Sequence, residues 1–119
     1  MLKYYYILKQ YAEAQKVTLT QDKSIVCMIS KKNNLFHLIF PFTFDFSQIL
    51  FELTKIIPEN DRVMSAIICF LPPWNLEIPS FAFRKALLQI DDSNQKAVIY
   101  MNGKDGIIQK ELSETLPPL

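Results

Sequence analysis

One histidine, two cysteines and a few neighbouring acids are the groups in this 119-residue chain best suited to catalysis or metal binding. His37 stands in "LFHLIF". An imidazole among large apolar groups can serve as a general base with a burial-shifted pKa. The same setting suits a histidine hydrogen-bonded on a sheet, and that is the reading adopted. A Ser-His or Cys-His nucleophile would have to be built on His37, and the chain has no G-x-S-x-G elbow. Cys27 in "IVCMI" and Cys69 in "AIICFL" read as buried free thiols of a reducing compartment rather than a bridge. Zinc asks for three or four ligands, commonly in close pairs, and neither C-x-x-C nor H-x-x-x-H occurs. No metal and no cofactor are expected.

Among the acids, Asp91-Asp92 reads as a helix-ending turn and Asp61-Arg62 as a solvated loop pair. Glu77, three residues after Trp74, is the acid beside an aromatic in a loop, where general acid work is chemically feasible. Phosphate cradles need glycine where backbone approaches the anion. Both glycines fall in "NGKDG", after a strand and with no helix following, which excludes Walker and Rossmann readings.

These groups must be positioned by a small set of elements. "LKYYYILKQY" is rich in aromatic and β-branched residues and reads as a strand from Leu2 to Gln10. "AEAQK" is a connector or a helical turn, "VTLT" and "SIVCMIS" are two strands around "QDK" or one bent strand, and "LFHLIF" follows the turn "KKNN". The first forty residues therefore read as an antiparallel meander. In "FDFSQILFELTKIIP", Asp45 is an N-cap with Gln48 at N3, a capping box, and Phe44 and Ile49 form a hydrophobic staple. Phe46, Ile49, Leu50, Leu53, Ile56 and Ile57 make one apolar stripe, and Pro58 ends the helix.

"VMSAIICFL" is continuously apolar, as a strand covered on both faces must be. Pro72 and Pro73 end it near Leu71 because neither donates an N–H. Ser80 caps a second helix over "FAFRKALLQI", and "QKAVIYM" and "IIQKEL" form a hairpin whose glycines supply positive φ. The fold class is α+β, with mixed α/β possible. A largely antiparallel sheet carries an N-terminal meander, two packed helices and a C-terminal hairpin, with one parallel pair allowed across the second helix. Residues 1–112 make a single domain and 113–119 a flexible tail. At the level of topology the order is similar to the core of ribonuclease H-like and actin-like domains. Those nucleases hold metal with carboxylates on the first strand, and "LKYYYILKQY" has none.

Apolar residues make up 50% of the chain and the net charge is +1, so neither disorder nor a partner chosen by bulk charge is expected. Lys31-Lys32 is the only adjacent pair of lysines, and no apolar run reaches the ~20 residues of a membrane span. The amino terminus lacks the pattern of a signal peptide, and the expected location is cytoplasmic. Aromatics concentrate at Tyr4 to Tyr6, Phe36 to Phe51 and Phe70 to Phe83. Pro72-Pro73-Trp74 reads first as a connector and second as a binding lip, since tryptophan is enriched in interface hot spots. The expectation is a non-enzymatic protein–protein interaction domain. It would be an assembly, regulatory or inhibitor/immunity-type subunit that forms homo-oligomers and binds no nucleic acid. Its candidate contact residues are Trp74, Pro72, Pro73, Tyr4, Tyr5 and Tyr6. The alternative is a small-molecule binder or small enzyme with a pocket near Trp74, Glu77 and His37.

Overall fold

The structure, a computed structural model, describes residues 2–16 and 20–117. Nine regular elements follow one another: α1 (Tyr5–Gln15), β1 (Lys23–Ser30), β2 (Leu35–Pro41), α2 (Phe46–Ile56), β3 (Met64–Leu71), β4 (Asn75–Glu77), α3 (Phe81–Ile90), β5 (Val98–Gly103) and β6 (Gly106–Glu111). The strands form one sheet in the order β2-β1-β3-β5-β6, with β4 paired to β3. Among the described strands only β3 and β5 run parallel, joined across α3, and the remaining pairs are antiparallel. The class is α+β, as the sequence indicates.

The segment read as a first strand is instead the helix α1, which also takes in most of "AEAQK". Tyrosine-rich runs prefer strands only weakly, and packing overrides that preference. Tyr5, Leu8 and Ala12 are buried at spacings of three and four, a helical stripe. Burying the fully enclosed Leu8 side chain contributes ~1.5–3 kcal/mol. The stripe has a surface to cover. Ile25, Cys27 and Ile29 of β1 and Ala66, Ile68 and Phe70 of β3 alternate onto one sheet face, and α1 packs there. The meander thus reduces to the β1–β2 hairpin. The likeness to ribonuclease H-like domains loses the first strand it began from. Of the "VTLT" strand, residues 17–19 lie outside the described residues.

The opposite face belongs to the other two helices. Val26, Met28, Leu38, Phe40, Ile67, Cys69 and Ile99 meet Ile49 and Leu53 of α2 and Phe83, Ala86 and Leu87 of α3. β3 is therefore covered on both sides, as its unbroken apolar run requires. The α2 cap is the one read from sequence. The Gln48 N–H donates to Asp45 Oδ1 at 2.9 Å and the Asp45 N–H to Gln48 Oε1 at 2.9 Å. At α3, the Phe83 N–H donates to Ser80 Oγ at 3.2 Å.

Three further details differ from expectation. Beyond Leu71 the chain turns and Asn75–Glu77 pairs back onto β3 from Leu71↔Asn75 to Cys69↔Glu77, a short strand too brief to show a period. Of the two glycines only Gly106 has positive φ, at 133°. Gly103 is required for space instead, since a Cβ there would meet Ile108 Cγ2 at 2.5 Å. Residues 113–117, read as the start of a tail, continue from the buried Leu112 as a 3-10 turn over Leu112–Thr115. An Arg84 guanidinium N–H donates to the Thr115 carbonyl, and Leu116 packs on the α2–α3 core.

Candidate interaction surfaces

Four places collect the side chains able to bind or react. The first is the Pro72–Trp74 corner. The peptide between Pro72 and Pro73 is cis, and the two prolines form the reversal between β3 and β4. Trp74 turns back over the α1 face of the sheet rather than onto α3. Its ring stacks on Phe70 with centroids 4.2 Å apart and planes 4° from parallel. Lys16 Nζ lies 4.8 Å above the same ring, so α1 and the corner clasp one another. Trp74 is half-buried and Pro73 exposed.

The second is the start of α1. Tyr4 precedes the helix, and its backbone N–H donates to the Tyr100 hydroxyl at 3.1 Å. Tyr5, only 6% exposed, meets Tyr100 edge-on at 5.7 Å and is a core residue rather than a contact residue. Tyr6 is 67% exposed. Hydrogen bonding, chiefly to Lys3 and then to Ser65, draws the Tyr4 phenol below its ordinary pKa. A helix separates these three rings by about 100° each, which is why one is buried and one is free.

The third contains His37. It faces the α1 side of the sheet opposite Cys27, and the Tyr11 hydroxyl is hydrogen-bonded to its Nδ1 at 2.7 Å. Burial lowers the His37 pKa and raises that of Tyr11, so both groups favour their neutral forms. The Cys27 thiol behind them is pushed up to about 12 by burial, and so is Cys69 on the other face. Neither is a nucleophile in this state. Glu77 pairs with Cys69, on the α2–α3 side of the sheet, and is exposed. β4 and β2 are separated by β3 and β1, about 14 Å at ordinary strand spacing. Trp74 and His37 thus share a face while Glu77 sits on the other, and the three form no common pocket.

The fourth was not legible beforehand. Lys31, Lys32, Glu59, Arg62, Asp61 and Asp91 line a cleft of about 310 Å³ at the end of the sheet near the β1–β2 turn. Its charges balance, three basic against three acidic. Asp61 is not the solvated loop acid expected. It is buried, its Oδ2 accepts from Asn34 Nδ2 at 2.7 Å, and its Oδ1 has no partner. Nearby, Asn94 is wholly buried and joins three segments. Its Oδ1 accepts from the Met64 N–H at 2.7 Å, and its Nδ2 donates to the Arg62 and Leu87 carbonyls at 2.9 and 2.8 Å. "DDSN" gave only a turn signal for it. Among the described residues no three of His, Cys, Asp and Glu stand close enough to hold a metal. No described helix is long and apolar enough to cross a membrane.

The two edges of the sheet contrast. β6 carries Lys110 and Glu111, with Lys104 and Asp105 in its turn. β2, "LFHLIFP", carries no charged residue. Leu35 at its start is 36% exposed and Phe42 just past its end 56% exposed. Natural sheets ordinarily blunt an open edge with charge, proline or a bulge. Here only Pro41, at the far end, does so.

No family model matches the chain, and no curated protein is significantly similar to it.

Proposed function

We propose that this chain is a non-enzymatic protein–protein interaction domain that associates with itself and works as an assembly, regulatory or inhibitor-type subunit in the cytoplasm. The carrying observation is the uncharged edge strand β2, which among the described residues pairs with β1 alone and is flanked by the exposed Leu35 and Phe42. An open edge offers a row of backbone donors and acceptors that another chain can pair with. Tyr6 on α1 and the Pro72-Pro73-Trp74 corner are the further contact residues of this reading, and Tyr4 flanks Tyr6. A protein partner is favoured over nucleic acid because the net charge is only +1 and the basic residues are dispersed.

Size-exclusion chromatography with light scattering, run across micromolar concentrations, tests the reading. The expected mass is above 13.9 kDa and falls towards it on dilution. A mass of 13.9 kDa at every concentration would remove self-association.

A further inference from the structure

The hydrogen bonds of the hairpin fix which atoms the β2 edge presents. The Ser30 N–H donates to the Asn34 carbonyl at 2.9 Å and the Phe42 N–H to the Asp22 carbonyl at 3.0 Å. Both pairs share the register of the hairpin, in which Met28 faces Phe36 and Val26 faces Leu38. Bonded and non-bonded pairs alternate along an antiparallel ladder. Phe36, Leu38 and Phe40 therefore bond inward to β1, while Leu35, His37 and Ile39 direct their N–H and C=O groups away from the sheet.

Those three residues are evenly spaced about His37. A two-fold axis through His37 sets Leu35 of one copy against Ile39 of the other, and His37 against its own counterpart. Each such pair exchanges two bonds, so all outward groups of the three residues are satisfied by about six hydrogen bonds. Shifting the axis by one residue in either direction leaves some of them unpaired. No charged side chain lies on the strand, so antiparallel self-pairing brings no like charges together. The side chains agree. Leu35, exposed alone, meets Ile39 of the second copy on the α1 face.

Resting on the interaction reading above, we infer that β2 is a homodimerisation strand. Two copies join edge to edge, antiparallel, about a two-fold axis at His37, making one continuous sheet.

A register-specific cross-link tests this. In a hydrogen-bonded antiparallel pair the Cα atoms lie ~5.5 Å apart, within the range of a disulfide. Leu35→Cys and Ile39→Cys copies, differently tagged and mixed under mild oxidant, should give a mixed disulfide dimer, while neither alone cross-links efficiently. Leu35→Pro removes an outward N–H from the first residue of an edge strand, where proline is tolerated. It should weaken association on the order of tenfold or more, with circular dichroism and melting near those of the wild type. The cross-link remains decisive if the proline variant folds poorly. Association that survives Leu35→Pro without any mixed disulfide would overturn the β2 axis while leaving self-association standing. A wild type monomeric at every concentration, including one that captures a foreign extended peptide on β2, would overturn both.

Discussion

Replacing Asn94 by alanine should be among the most damaging single substitutions in the polar part of this protein. The side chain is fully buried and makes three hydrogen bonds to backbone groups of the β3 entry and of α3. Their loss is not uniform. The Leu87 carbonyl keeps the Asp91 N–H as a partner at 3.3 Å. The Met64 N–H and the Arg62 carbonyl are left without one. A buried group stripped of its partner costs about 1–3 kcal/mol; the buried Met64 N–H carries this in full and the part-buried Arg62 carbonyl less, so the total comes to about 2–4 kcal/mol. That is a large share of the ~5–15 kcal/mol that holds a domain together, and it corresponds to a melting point lower by roughly 10–20 °C. Asn94→Asp keeps the acceptor but loses both donors and adds a buried charge, so it should be at least as harmful. Asn102→Ala is the control, since that exposed residue makes one bond, to the Leu76 carbonyl at 3.0 Å, and should cost within ~1 kcal/mol. Urea titration followed by circular dichroism measures all three. An Asn94→Ala variant within ~1 kcal/mol of the wild type, or no worse than Asn102→Ala, would refute the hub.

Two other outcomes are expected. Cys27 and Cys69, both pushed up to about 12 by burial, should ignore a thiol-exchange reagent at about pH 8, where roughly one thiol in 10⁴ is ionised, and both should react at once in denaturant. Rapid reaction of either in the native protein would contradict the enclosed core. His37 has a folded pKa below the ordinary 6.5, so the unfolded chain takes up the proton first. Stability should be complete above about pH 6.5 and decline as pH falls through that value towards the lower folded pKa. Denaturation midpoints from about pH 7 to 5 should fall in the wild type and stay flatter in His37→Gln. Equal slopes would remove the imidazole from the account.

Local chemistry made much of this fold readable. The Asp45–Gln48 box, the proline stop after Ile57 and the unbroken apolar run of β3 each depend on neighbours in sequence, and each stands where expected. What failed was non-local. Tyr4 to Tyr6 look strand-like alone, and only the sheet face left uncovered by α2 and α3 explains why the segment is helical. The stripe Tyr5, Leu8, Ala12 is a helical spacing in the sequence itself, overlaid by the strand-like aromatic run. β4 is three residues long, too short to carry a period. Asn94 and Asp61 owe their burial to partners 30 and 27 positions away, which no turn signal encodes. At the candidate surface, "LFHLIF" was read correctly as a strand. Its place at the edge, and hence its freedom to pair, follows from the strand order alone.

Backbone hydrogen exchange at residue resolution, in dilute and in concentrated protein, bears most directly on the interaction account. The amides of Phe36, Leu38 and Phe40 bond to β1 and should be protected at both concentrations, while those of Leu35, His37 and Ile39 should exchange quickly when dilute and slowly when concentrated. Outward amides that exchange equally fast at both concentrations would contradict it.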